Sequence, residues 1–87
     1  MADVRCWLVE RTYSDKGLVS LVYAAPDGER VLRRERAPAV LREAGGVTAA
    51  VTVDAETLEP VRDPEARERY AAEVDRMADR HDPDDRV

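Results

Sequence analysis

The sequence predicts an α+β fold: a four-stranded mixed sheet, ordered β-β-β-α-β-α along the chain, with both helices packed on one face. Two runs rich in Val, Leu, Trp and Tyr, residues 4–13 and 18–24, flank a short turn. A run that alternates apolar and polar residues follows at 47–53, and an amphipathic stretch begins at Asp63. Alternation with period two indicates strands, and apolar residues spaced about 3.6 apart indicate a helix.

The first two strands are predicted to form a β-hairpin. The connection Ser14 to Gly17 (SDKG) fits a type I turn followed by a left-handed glycine. Ser14 then faces Leu18 and, counting outward, Val9 faces Tyr23. A loop longer by one residue would exchange the partners of one strand. In the predicted register, one face of the hairpin carries Trp7, Val9, Arg11, Tyr13, Val19, Leu21 and Tyr23.

A second turn and an edge strand follow the hairpin. The stretch Ala25 to Gly28 (APDG) combines a proline that presets φ with a glycine that accepts a left-handed conformation. The third strand, residues 29–36 (ERVLRRER), has charged residues on both faces. This pattern is typical of an edge strand protected against pairing with other chains.

Two helices enclose the fourth strand. Pro38 begins a short helix that stops at Gly45, and Pro64 begins a longer one capped by Asp63. A right-handed crossover through the short helix places strand four beside and parallel to strand one, in the spatial order 3-2-1-4. Residues 1–81 thus form a single domain, and residues 82–87 are predicted to be a disordered acidic tail.

Composition and charge exclude several classes of protein. Charged residues make up 38% of the chain, the formal net charge is −5, and arginine outnumbers lysine thirteen to one. Residues 47–87 hold six basic and twelve acidic groups, so the acidity belongs to the C-terminal half. No apolar run is long enough to span a bilayer, and the N-terminus has no apolar signal region, so we expect a cytoplasmic protein.

The motifs of small enzymes and metal sites are missing from the sequence. There is no glycine-rich phosphate loop, nucleophile elbow, CxxC or HExxH. The one cysteine, Cys6, lies in an apolar strand and is interpreted as a buried hydrophobe. The one histidine, His81, is interpreted as a packed or helix-capping residue, and the carboxylates around it lack calcium-loop spacing. We therefore expect no enzymatic activity, cofactor or metal.

Two sets of residues are candidates for a binding site. The first is a basic group on the third strand. It is interpreted either as a contact for nucleic acid or an acidic partner, or as a charged edge that only preserves solubility. It consists of Arg30, Arg33, Arg34 and Arg36. The second is an apolar patch that meets a partner if it lies on the helix-free face, and is core if the helices cover it. It consists of Trp7, Val9, Leu21 and Tyr23.

The sequence resembles small uncharacterised proteins of halophilic archaea. The resemblance is carried by the block RCWLVERTYSDKGLVSLVYAAPDGER, by the acidic composition rich in Arg and poor in Lys, and by the ending RERYAAEVDRMADRHDPDD. It implies a cytoplasm rich in potassium salts, and it implies no activity or binding residues.

These observations predict a non-enzymatic macromolecular interaction module of a salt-adapted cytoplasm. The expected partner is another protein or a second copy of the chain. The alternative is an accessory RNA- or ribosome-binding protein that uses the arginine-rich edge strand. No feature of the sequence indicates a membrane or a small-molecule substrate.

Overall fold

The computed structural model describes residues 2–87, which form one antiparallel sheet and two α-helices. The elements in chain order are β1 (Asp3–Tyr13), β2 (Val19–Ala24), β3 (Arg30–Arg36), α1 (Pro38–Glu43), β4 (Ala50–Asp54), a 3₁₀ turn (Ala55–Thr57), β5 (Glu59–Pro60) and α2 (Pro64–Arg80). Neither helix has the length and apolar character that crossing a bilayer requires. The predicted α+β class is confirmed.

The sheet has the order β4-β1-β2-β3-β5, which contains the predicted order 3-2-1-4 and adds a fifth strand. Strand β4 runs antiparallel to β1, so the predicted mixed sheet is wrong. The reason lies in the length of the connection. A parallel β4 would require the connection, residues 37–49, to return along β1, whose eleven residues extend about 36 Å. The six residues of α1 advance only about 9 Å, and the other seven residues, even fully extended, would add about 23 Å. The connection instead crosses the sheet near the hairpin end.

A β-bulge at Val9 changes the register of the hairpin. Near the turn the predicted register is confirmed, because Ser14 N–H donates to the Leu18 carbonyl oxygen at 2.8 Å. On the N-terminal side of Glu10 the register shifts by one residue, so Leu8 rather than Val9 pairs with Tyr23. The predicted pairing of Val9 with Tyr23 is therefore wrong. Since side chains alternate along a strand, the shift moves Trp7 to the opposite face of the sheet from Tyr23.

Each face of the sheet carries its own apolar cluster. The face that packs against α2, here the α2 face, includes Trp7, Val22, Ala24, Val31, Val61, Tyr70 and Val74. The opposite face, here the α1 face, includes Cys6, Leu8, Val19, Leu21, Tyr23, Ala25 and Val47, with Leu41 of α1 packed against it. The prediction that both helices share one face is wrong, because the connection that contains α1 crosses the other side.

Helix α2 begins as the sequence predicts. The Asp63 carboxylate accepts a hydrogen bond from Glu65 N–H at 3.1 Å, and Pro64 occupies the first turn. Its buried residues are Tyr70 and Val74. The helix also lies against the β2–β3 turn at Gly28, which has φ +72°. A Cβ there would lie 2.7 Å from the main-chain nitrogen of Ala71 and closer still to the carbonyl oxygen of Arg67.

The C-terminal segment 82–87 pairs with the chain that enters β4, where the sequence predicts a disordered tail. The amides of Ala49 and Ala50 donate to the carbonyl oxygens of Asp85 and Pro83 at 2.8 and 3.1 Å, and Val87 N–H donates to the Val47 carbonyl oxygen at 3.0 Å. Main-chain hydrogen bonds do not depend on side-chain polarity, so composition alone does not predict them. The Val87 side chain packs against both apolar clusters.

Replacing Gly28 by alanine tests the close approach of α2. We expect Gly28→Ala to lower the free energy of unfolding by about 3 kcal/mol or more, because the added methyl group clashes with main-chain atoms and the left-handed φ is strained. Gly45→Ala is the control, because Gly45 has φ +81° and nothing within 4 Å of the added Cβ. It isolates the strain, about 1–2 kcal/mol. Equal effects in urea unfolding would contradict the close contact.

Deleting residues 82–87 tests the role of the C-terminal segment. The deletion removes main-chain hydrogen bonds worth about 1 kcal/mol each together with the packing of Val87. We expect the free energy of unfolding to fall by about 2–4 kcal/mol in urea titrations. Asp84→Asn, which removes one exposed charge but keeps the segment, is the control. A truncated chain as stable as the full chain would show that the segment is dispensable.

The buried thiol of Cys6 predicts a dependence of stability on pH. Cys6 is fully buried, and burial raises the pKa of its thiol while the nearby Arg30 opposes the rise. The folded chain then holds this proton more tightly than the unfolded chain, which releases it near pH 8.5. The resulting stabilisation is fully present below about pH 8.5 and is lost as the pH rises through the folded-state pKa.

We therefore expect the free energy of unfolding to decline between about pH 8.5 and 10, and to decline less steeply in Cys6→Ala. Tyr23→Phe is the control, because burial also raises the pKa of Tyr23, but a tyrosine in the unfolded chain ionises only near pH 10. Identical slopes for the wild type and Cys6→Ala over this range would contradict the prediction.

Candidate functional site

Two clefts open on the α1 face, and Leu41, Gly46 and Val47 line both of them. The larger, here the hairpin cleft, has a volume of about 330 Å³ and lies at the end of the β1–β2 hairpin. Its lining is mainly apolar, and its remaining residues are Arg11, Tyr13, Val19, Arg42, Gly45 and Val87. The smaller, here the arginine cleft, has a volume of about 190 Å³, and its remaining residues are Leu21, Tyr23, Arg34, Arg36, Thr48, Val51 and Arg86.

Different parts of the fold supply the arginines of these clefts. Alternation along β3 puts Arg34 and Arg36 on the α1 face. Arg11 pairs with Leu21 across the hairpin and shares its face. Arg42 lies in the last turn of α1, and Arg86 is held by the bridge between its main chain and Thr48. Residues far apart in the sequence thus form one basic surface.

The four arginines predicted on β3 do not form one cluster. Arg34 and Arg36 line the arginine cleft. Arg33 lies on the α2 face, where its Nε is 3.8 Å from a carboxylate oxygen of Glu59. Arg30 pairs with Pro60 of β5 and lines neither cleft. The structure therefore brings two of the four together.

In the part of the chain that the structure describes, no Asp or Glu side chain forms an ion pair with a guanidinium group of the two clefts. Arg11 Nη2 does donate a hydrogen bond to the main-chain oxygen of Val87 at 2.8 Å. No Asp or Glu lines either cleft. The ion pairs within 4.0 Å among residues 2–87 join Arg33 to Glu59, Arg76 to Glu73 and His81 to Asp85. In a chain with a net charge of −5, the α1 face is thus a local concentration of arginines that no Asp or Glu side chain of the described residues pairs with.

Tyr23 forms part of the floor of the arginine cleft. Its ring is 2% exposed, and the guanidinium carbon of Arg34 lies 5.9 Å from the ring centroid, within cation–π range. Burial raises the pKa of the Tyr23 hydroxyl, while the positive charges of Arg34, Arg11 and Arg36 oppose the rise. These three guanidinium groups therefore lie close enough to act on the same phenol.

The bulge divides the predicted apolar patch. Trp7 and Val9 belong to the cluster on the α2 face, whereas Leu21 and Tyr23 belong to the cluster on the α1 face. Trp7 is 7% exposed and Leu21 is 2% exposed, so these side chains are core rather than surface. The large exposed apolar residues of the described chain are instead Tyr13 and Val40, and Tyr13 lines the hairpin cleft.

His81 and Cys6 lie in separate surroundings. His81 caps the C-terminus of α2, and its Nδ1 is 3.6 Å from a carboxylate oxygen of Asp85. The Cys6 thiol is buried in the sheet and contacts the Val4 carbonyl oxygen at 3.8 Å. No hydrogen bond joins the two residues. In residues 2–87, no three His, Cys, Asp or Glu side chains converge in a way that could hold a metal ion.

Sequence reasoning did not assign Arg11 and Arg86 to the candidate site. A signal was present for Arg11, since the predicted register already put it on one face with Leu21 and Tyr23. No signal was present for Arg86, because its position depends on main-chain pairing in a segment predicted to be disordered. The cleft is thus a product of the fold rather than of one sequence run.

Comparison with known proteins gives one match. A model described as "Family of unknown function (DUF7967)" matches residues 1–87. Neither a curated protein nor a solved structure matches the chain. Since the family model covers more than half of the sequence, the chain belongs to the DUF7967 family, whose function is not established.

Proposed function

We propose that this protein is a non-enzymatic interaction module that binds an acidic segment of a partner protein across its α1 face. The observation that carries the proposal is the pair of adjoining clefts, which combine apolar floors with five arginines and have no Asp or Glu in their lining. Such a surface is complementary to a segment that has both apolar and acidic side chains.

The hairpin cleft supplies the apolar part of the interaction. Its volume of about 330 Å³ falls in the range of sites that enclose a ligand group. Tyr13, whose side chain is 77% exposed, stands at its wall. Tyrosine and arginine are enriched among the residues that dominate binding energy at protein interfaces. An apolar side chain of the partner that enters this cleft would be removed from water on several sides.

The arginines supply charge selectivity. A protein with a net charge of −5 repels other acidic proteins over most of its surface, and the α1 face is an exception. We also propose that the protein works in a salt-adapted cytoplasm, which its acidic, arginine-rich composition supports. At 1 M salt, charges are screened within about 3 Å, so direct bidentate contacts rather than long-range attraction would select the partner.

The exposure of the aromatic residues favours a protein partner over RNA. Single-stranded nucleic acid is bound in large part by stacking of bases on exposed aromatic rings. Trp7 is only 7% exposed and Tyr23 only 2%, which leaves Tyr13 as the exposed ring near the arginines. An accessory RNA- or ribosome-binding role would therefore depend almost entirely on phosphate contacts, which high salt weakens.

Reversing the charge of the arginine cleft tests the proposed function. We expect the double variant Arg34→Glu/Arg36→Glu to keep cooperative unfolding and to recover at least about tenfold less partner protein, since each lost charge-assisted contact is worth about 1.5–3 kcal/mol. The tagged chain is incubated with a lysate of its native host at native salt, with and without ribonuclease. Arg62→Glu/Arg80→Glu is the matched control, because both residues are exposed and line neither cleft.

A partner protein that survives ribonuclease, is lost with the cleft variant and is retained by the control supports the proposal. Partners that disappear on ribonuclease treatment would favour the RNA-binding alternative. Equal losses for both variants would show that net charge rather than the cleft governs binding. Recovery of only a second copy of the chain would indicate self-association instead of a separate partner.

A further inference from the structure

We propose that the arginine cleft is a phosphate-binding site that takes a phosphorylated side chain of the partner protein. The inference rests on the proposed function, since it names the group that the partner presents to the cleft. Its basis is the presence of Arg34, Arg36 and Arg86 in one small cleft that no carboxylate lines.

The three guanidinium groups reach the cleft from two sides of the fold. Arg34 and Arg36 project from the same face of β3, and Arg86 projects from the C-terminal segment. Several of these positions are held by contacts. Arg34 lies over the Tyr23 ring, Arg36 Nη1 donates to the Glu35 carbonyl oxygen at 2.9 Å, and the chain around Arg86 is tied to residues 47–50. Each guanidinium has five N–H donors, so most of them stay available to a ligand.

This arrangement suits phosphate better than carboxylate. A carboxylate is planar, carries one charge and is satisfied by one or two guanidinium forks. A phosphorylated side chain carries a charge of about −1.5 to −2 and has three acceptor oxygens directed apart from one another. Three cations that approach from two sides therefore match its charge and shape. Thr48 adds no donor, because its hydroxyl already donates to the Ala50 carbonyl oxygen at 2.8 Å.

The size of the cleft restricts the ligand to a single group. Its volume of about 190 Å³ is below the range of about 300–1,000 Å³ typical of sites for drug-sized ligands. The adjoining hairpin cleft shares Leu41, Gly46 and Val47 with it and is mainly apolar. The matching ligand is thus a segment in which an apolar residue follows or precedes the phosphorylated one closely.

Titration with O-phospho-L-serine, serine and inorganic phosphate tests the site directly. The isotope-labelled protein is observed by NMR at constant ionic strength, set with potassium chloride. We expect phosphoserine to shift the side-chain Nε–H signals of Arg34, Arg36 and Arg86 in a saturable manner, and serine to shift none of them. Arg86→Ala should weaken binding by roughly tenfold or more, whereas Arg80→Ala, which removes an exposed arginine outside the cleft, should leave it unchanged.

Absence of saturable shifts, or equal weakening by Arg86→Ala and Arg80→Ala, would overturn the phosphate site. Binding of inorganic phosphate without binding of phosphoserine would also overturn it, since the cleft would then serve the free ion. A second arm treats the host lysate with phosphatase before partner recovery, and we expect the partner to be lost. A partner that persists after phosphatase but is still lost with Arg34→Glu/Arg36→Glu would overturn the phosphate inference while leaving the proposed function intact.

Discussion

The β-bulge at Val9 determines how this small chain builds a core on both faces of its sheet. Because Val9 has no partner on β2, the β1 residues before it point to the opposite face of the sheet from the one that an unbroken register would give them. Trp7 is thereby directed toward the long helix α2, which has the surface to cover it. Cys6 and Leu8 join Tyr23 on the other face, beneath the shorter covering segment that contains α1. The bulge thus distributes the apolar residues of β1 over both faces of the sheet.

The short covering helix α1 determines the shape of the α1 face. Because a six-residue helix covers it only in part, the sheet is left with clefts on either side of the Leu41 to Val47 stretch. The floor of these clefts is apolar because it is also core, and their rims are basic because arginines from several elements end there. The proposed binding surface therefore lies where the cover of the core is incomplete, and no dedicated loop forms it.

Local signals in the sequence predicted most elements, and the errors came from interactions between distant segments. The hairpin turn at Gly17 and the caps of α2 depend on neighbouring residues, and the structure confirms them. The sequence around Val9 contains no glycine or proline from which the bulge could be predicted. Strand β5 is two residues long and includes Pro60, so it has no periodicity to detect. Of the arginines in the candidate site, those of β3 were visible as a run, whereas Arg86 depends on pairing across the whole chain.

The edges of the sheet are only partly paired, which bears on how the protein resists aggregation. Strand β5 covers only the first two residues of β3, and the C-terminal segment covers the entry to β4. From Leu32 onward, the side of β3 that faces away from β2 pairs with no strand of the described chain. Its charged side chains, Arg33, Arg34, Glu35 and Arg36, oppose edge-to-edge pairing with another sheet. The β3 arginines that we propose as ligand contacts would thus also protect this edge of the sheet against aggregation.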